Sequence, residues 1–170
     1  MGFPKKINYN WAVGFPGGIA SANPRRSAIP GSLGFRAGAG GVSVGAFGWV
    51  QADGVTVLNK PVATEAPTGF VLCDQTGLIT EYLGESTMTL LDGWNVQLMT
   101  GGDYFAVATT AATAGQAVYA STTDGTLTTG AAGTVPDGTV ATGFVVTQGG
   151  AIGATIIISG AVAPISGSNE

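Results

Sequence analysis

From Val42 onward, apolar residues alternate with small or polar ones over short runs that end in Gly, Asp or Pro, the two-residue period of β-strands. The run "VSVGAFGWV" puts Val42, Val44 and Ala46 on one face, then meets "QADG" and "VTVL", which predicts a hairpin turning at Asp53 and Gly54. "TGFVLCD", with Phe70 and Leu72 on one face, leads through "QTG" into "LITEYLG" and predicts a second hairpin, with Ile79 and Glu81 alternating in its return strand. "WNVQLM", "DYFAVATT", "QAVYAST", "TLTT", "GTVATGFVVTQ" and "AIGATIIIS" extend the series to about ten short strands. Helix signals are weak: "AVATTAATAG" is rich in Ala, yet its β-branched Thr residues and Gly115 favour strand then turn. The predicted class is all-β, an antiparallel barrel or sandwich spanning residues 41–170.

Residues 1–40 have a different texture. They hold Pro4, Pro16, Pro24 and Pro30 with scattered Gly, and no sustained period. Proline removes a backbone donor and biases its predecessor toward extended geometry, so this part is expected to run as an extended N-terminal arm. Its aromatics, Phe3, Tyr9, Trp11, Phe15 and Phe35, need a surface to cover them, supplied by the same chain or by another subunit.

Charge sharpens this division. The six cations, Lys5, Lys6, Arg25, Arg26, Arg36 and Lys60, precede residue 61, where the only acid is Asp53; the remainder carries nine acids and no Lys or Arg. The first part is therefore +5 and the rest −9, summing to −4. With a sequence pI near 4.5, nucleic acid is not the expected partner, since its binders usually present a dense basic face. Charged residues are only 9% of the chain against a usual value of about 25%, and Gly numbers 29, so the surface is expected to be polar, turn-rich and weakly charged. No window holds the ~20 clean apolar residues that cross a bilayer, and the N-terminus lacks a signal-peptide core, so no membrane partner and a cytosolic origin are expected.

Reactive chemistry is sparse. The chain has no His, which removes Ser-His and Cys-His systems and the commonest metal ligand. "GVTVLNK" has Asn59 before Lys60 and Pro61 after it, so it fails as a phosphate-binding loop, and "GAGGVS" has no following helix to hold a phosphate. Glu81, Glu85, Asp92 and Asp103 could supply an acid pair, but their spacing places no two in one cleft. Cys73 has no partner for an internal disulfide and sits in an apolar run. No catalytic residue, metal or cofactor is expected.

One stretch carries a family resemblance. Residues 109–146, "TTAATAGQAVYASTTDGTLTTGAAGTVPDGTVATGFVV", resemble the C-terminal barrel of bacteriophage capsid cement, or head decoration, proteins. The matching positions are Thr110, Ala111, Ala114, Gly115, Val118, Tyr119, Asp124, Gly125, Gly138, Val140 and Ala141. The stretch "FPGGIASANPRRSAIPG" also looks like the arm of such proteins. The resemblance implies a noncatalytic virion protein on the exterior of the head, bound to the outer face of the major capsid protein lattice and stabilising it. Arg25, Arg26 and Arg36 would then meet carboxylates on that lattice, with Trp11 and Phe15 as apolar contacts.

The consecutive Ile156, Ile157 and Ile158 make a strand apolar on both faces, as in closed cores or at subunit interfaces, and a homodimer or homotrimer is expected. The alternative reading is a carbohydrate- or receptor-binding β-domain of a phage fibre or adhesin, with Trp49, Trp94, Tyr104 and Tyr119 as a sugar platform.

Overall fold

The computed structural model describes residues 14–63, 65–74, 78–79, 82–85 and 87–161, and every regular element in them is a strand. In chain order these are β1 (Arg26–Ser27), β2 (Arg36–Ala37), β3 (Val42–Ser43), β4 (Phe47–Val50), β5 (Thr56–Leu58) and β6 (Gly69–Val71). They continue as β7 (Thr89–Leu90), β8 (Leu98–Val107), β9 (Ala117–Ser121), β10 (Leu127–Gly130), β11 (Thr139–Gln148) and β12 (Thr155–Gly160). Ten of them form one sheet in the order β10-β9-β11-β12-β8-β6-β4-β5-β2, with β1 also on β8; β3 and β7 form a separate pair. The fold is all-β and sandwich-like rather than a closed barrel. Its ladders are antiparallel except for β2 on β5, which is parallel.

β8 joins the halves. The sequence pattern treats "WNVQLM" and "DYFAVATT" as two strands broken by Gly101 and Gly102, whereas one strand passes through a corner there. Its first residues, Leu98 and Met99, pair with Val71 and Phe70 of β6. Past the corner, residues from Gly102 to Val107 pair with β12. Gly102 has φ +116, and a Cβ on it would lie 2.8 Å from the Tyr104 hydroxyl, which itself donates to the Gly101 carbonyl at 2.8 Å. The missing side chain lets the strand bend there and exchange one pairing partner for another.

Alternation then divides the interior into two apolar clusters. Phe47, Phe70, Tyr104 and Phe144 form an aromatic knot in the first, with ring centroids 5.4 to 6.4 Å apart. Val57, Val71 and Leu98 belong to the second, with Phe35, Val42, Leu78 and Leu90. β4 and β6 contribute to both, so they are covered on both faces, which explains why their sequences are apolar without interruption.

Curling stops short of closure at β10. Ala108, just past β8, makes a parallel bridge to Leu127, and hydroxyls then replace the ladder: Thr129 N donates to Thr110 Oγ1 at 2.9 Å. Side-chain oxygens thus occupy backbone groups that an edge strand would otherwise leave open.

Two further expectations change. "VSVGAFGWV" is split into β3 and β4 at Gly45, φ +73, whose amide donates to Val71 O. The return strand expected after "QTG" is absent among the described residues of that stretch, where Leu83 takes φ +63; Gln75 to Gly77, Thr80 and Glu81 lie outside them. In β12, Ile156 and Ile158 are interior, while Ile157 points to the other face and is half-buried. The hairpin at Asp53 forms as expected, with Asp53 Oδ1 accepting the amides of Val55 and Thr56.

Candidate functional site

The cation-bearing segment is built onto the sandwich by its own main chain. Gly17 N donates to Phe105 O and Phe105 N to Gly18 O, both at 2.9 Å, and Ala20 N donates to Asp103 O at 2.9 Å. Ile19 bridges Tyr104 on the edge opposite Ile158, since both pair with the same residue. Residues 17–20 therefore act as a further strand-like edge on β8.

A side-chain clamp follows. Asp103 Oδ2 accepts from Ser21 Oγ at 2.5 Å and from Asn23 Nδ2 at 2.6 Å, while Asn23 N donates back to Ser21 Oγ at 3.1 Å. Hydrogen bonds from Ser21, Ser159 and Asn23 favour the charged carboxylate and hold Asp103 below its ordinary value of 3.8. Pro24 and Arg25 then lead into β1, where Arg26 pairs with Gly101 and Ser27 with Met99. Arg25 packs on the corner: a Cβ on Gly102 would lie 3.0 Å from its Cγ.

The segment is tied again farther along. Ala28 N donates to Leu98 O at 2.8 Å, Val96 N to Phe35 O at 3.0 Å, and Ala37 N to Trp94 O at 2.8 Å. Phe35 is buried in the second apolar cluster. Of the two alternatives for covering the arm's aromatics, this one uses the same chain. Arg36 Nη1 donates to Gly93 O at 3.1 Å, which fixes the direction of an otherwise exposed guanidinium.

Arg25, Arg26 and Arg36 are all exposed. Arg26 pairs opposite Gly101 and Arg36 opposite Asn95, and the backbone between those two partners, six residues, spans at most about 20 Å. Arg26 is also engaged within the chain. Phe15 is 47% exposed and lies beyond the far end of the clamp, near the level of Phe105, apart from the arginines. Trp11 lies outside the described residues.

The sugar platform does not exist as an exposed surface. Trp49, Tyr104 and Tyr119 are interior, Trp49 donating to Glu65 O at 2.9 Å and Tyr119 to Ala131 O at 2.7 Å; Trp94 alone of the four reaches solvent. Of the proposed acid pair members, Asp103 is committed to the clamp and Glu81 lies outside the described residues. Among the described residues no cluster of three or more Cys, Asp or Glu could hold a metal ion.

Ser21 and Asn23 are contributors that sequence reasoning missed, and Asp103, weighed there only as an acid-pair candidate, is what they bind. Their signal is slight: Ser-x-Asn before Pro marks a local turn, but its acceptor lies 80 residues away in the chain.

A family model described as the XM1 gp53 minor capsid protein matches residues 3–160. A chain of the solved structure "The capsid of Myoviridae Phage XM1" has the same fold, with a TM-score of 0.58 and 19% identity. The match covers 94% of this chain and 97% of that one. No curated protein matches the sequence.

Proposed function

The chain belongs to the XM1 gp53 minor capsid protein family, and on that premise we propose that it is a noncatalytic cement protein. In this reading it binds the outer surface of the major capsid protein lattice and stabilises the head. The coarser statement, a structural protein of the phage virion, is supported by the family match over nearly the whole chain. The finer one rests on a single feature: the cations of the described region, Lys60 apart, sit on one segment held by main-chain bonds at both ends.

Such a segment suits attachment to a finished shell. Its order is established before contact, so less conformational entropy is lost on docking. Arg25 and Arg36 offer planar forks to carboxylates, giving direction as well as attraction. Many copies on one lattice multiply a modest single-site gain. The copies would associate as a homodimer or homotrimer, a role for which the outward Ile157 and Val145 are available; light scattering that finds only monomer at every concentration would count against it.

Sedimentation with purified heads that lack this chain tests the reading. Replacing Arg25 and Arg36 together by Ala should weaken attachment roughly tenfold or more, about 1.4 kcal/mol or above, and leave thermal unfolding of the free protein unchanged. Undiminished attachment would remove the proposed role of the segment.

A further inference from the structure

Between its two anchored ends, the cation-bearing segment stands away from the sandwich. Residues 29–34, "IPGSLG", form a turn in which Gly34 N donates to Gly31 O at 3.0 Å. Ile29 is 91% exposed and Leu33 66% exposed. A single exposed aliphatic residue on a surface is ordinary. Two on a six-residue turn are less so when the backbone before them is fixed at Ala28 and the backbone after them at Phe35. Beneath the turn is a shallow cavity of about 170 Å³, lined by Ala28, Pro30, Phe35, Val96 and Leu98 with polar neighbours. Trp94, 42% exposed, stands beside the segment, its carbonyl accepting from Ala37 N and its amide donating to Leu91 O.

Charge brackets this apolar tip. Arg25 and Arg26 precede it and Arg36 follows it. Of the acids on the neighbouring segments, Asp103 accepts from Ser21 and Asn23, and Asp74 accepts from Gln97. Asp92 is exposed one residue before the Gly93 carbonyl that orients Arg36, and it is the acid that a partner must accommodate at that end.

We propose that the 29–34 turn is the docking knob of this protein. Ile29 and Leu33 are its apolar anchors, and its target is an apolar depression on a protein surface rimmed by carboxylates. The inference deepens the capsid-binding reading above and rests on it. A protein target fits better than a nucleic acid, because aliphatic side chains between the cations offer bases no stacking platform. It also fits better than a lipid surface, because the Arg36 guanidinium is already aimed by Gly93, a geometry suited to a fixed carboxylate. In protein interfaces a few well-buried residues carry most of the binding energy, while charges around them set direction and partner choice.

The test compares two variants of the full chain on heads that lack it, and on anionic phospholipid vesicles. Ile29→Ser with Leu33→Ser should weaken sedimentation with heads by about tenfold or more, while far-UV circular dichroism and thermal unfolding stay as in the parent. Arg25→Glu with Arg36→Glu should weaken it as well. If the arginine variant loses binding and the aliphatic variant does not, the knob is refuted and the capsid-binding reading survives. If neither loses binding, that reading falls and takes the knob with it. Vesicle binding as strong as head binding, abolished by the aliphatic variant, would assign the turn to lipid and overturn the proposal.

Discussion

Replacing Gly125 by Ala should be among the most damaging small changes at the turns of the described chain, and the size of the effect can be worked from three glycines that share a backbone conformation. Gly54, Gly125 and Gly138 have φ of +70, +70 and +71. An L side chain pays for that left-handed geometry with roughly 1 kcal/mol. At Gly54 and Gly138 nothing lies within 4 Å of an added Cβ, so that cost stands alone. At Gly125 the same Cβ would sit 2.3 Å from the Phe47 carbonyl oxygen and 3.0 Å from that of Asn59. Backbone must then move, and two bonds are disturbed: Phe47 N to Gly125 O at 2.8 Å, and Asn59 Nδ2 to Phe47 O at 2.9 Å. At about 1 kcal/mol each, the total reaches roughly 3 kcal/mol. For a chain of this size the expected fall in melting temperature is then roughly 6–12 °C for Gly125→Ala and about 2–4 °C for the other two. Thermal and urea unfolding of the three single variants would measure this directly. Equal losses at all three positions would refute the claim that the Asp124-Gly125 turn is wedged against β4.

Two further predictions concern pH. The clamp at Asp103 has a depressed carboxyl pKa, so its contribution is complete above about 3.8 and disappears as pH falls through the lower folded value; protection of the Asn23 amide, relative to its intrinsic exchange rate at each pH, should drop there, and Asp103→Asn should show the lower protection already at neutral pH. At the alkaline end, burial pushes the Tyr104 hydroxyl up to about 12 despite an opposing pull from Arg25, with Asp103 adding to the rise. Stability should therefore fall between pH 10 and about 12, and absorbance titration of the folded protein should find Tyr104 ionising late; its loss of the proton near pH 10, identified by comparison with Tyr104→Phe, would contradict its buried setting.

Strand composition and turn chemistry were readable because both are local. Short apolar runs around Phe47, Phe70 and Ile156 mark core strands, and Asp-Gly pairs mark hairpins wherever the next strand follows directly. The corner at Gly101 and Gly102 was not readable. Two consecutive glycines ordinarily signal a break, and only the distant partners Phe70 and Ile158 show that β-pairing resumes with a different strand. The anchoring of residues 17–37 was hidden for a related reason. β1 and β2 are two residues long, too short for a period, and their partners lie 74 or so residues downstream at Thr100 or on β5. The arginines were visible as a charge cluster, whereas the exposure of Ile29 and Leu33 depends on where the anchored ends leave the sheet.

That anchoring changes what the arginines can do. A cation on a loose tail meets its partner only after the tail has been ordered, at roughly 1–2 kcal/mol for each residue fixed, and a tail of twenty residues would spend more than its contacts return. Here the ordering of residues 17–37 is shared with the folding of the sandwich, through bonds to β8, to β5 and to the chain around Trp94. The weakly charged remainder follows from the same logic: with only 9% charged residues overall, few other sites on the molecule compete electrostatically for a carboxylate-lined target. Moving Arg25 and Arg36 to the exposed turn at residues 131–134, in a chain with Ala at both original positions, separates charge from placement. If placement decides, the relocated pair will restore the net charge and leave attachment to heads as weak as in the double Ala variant.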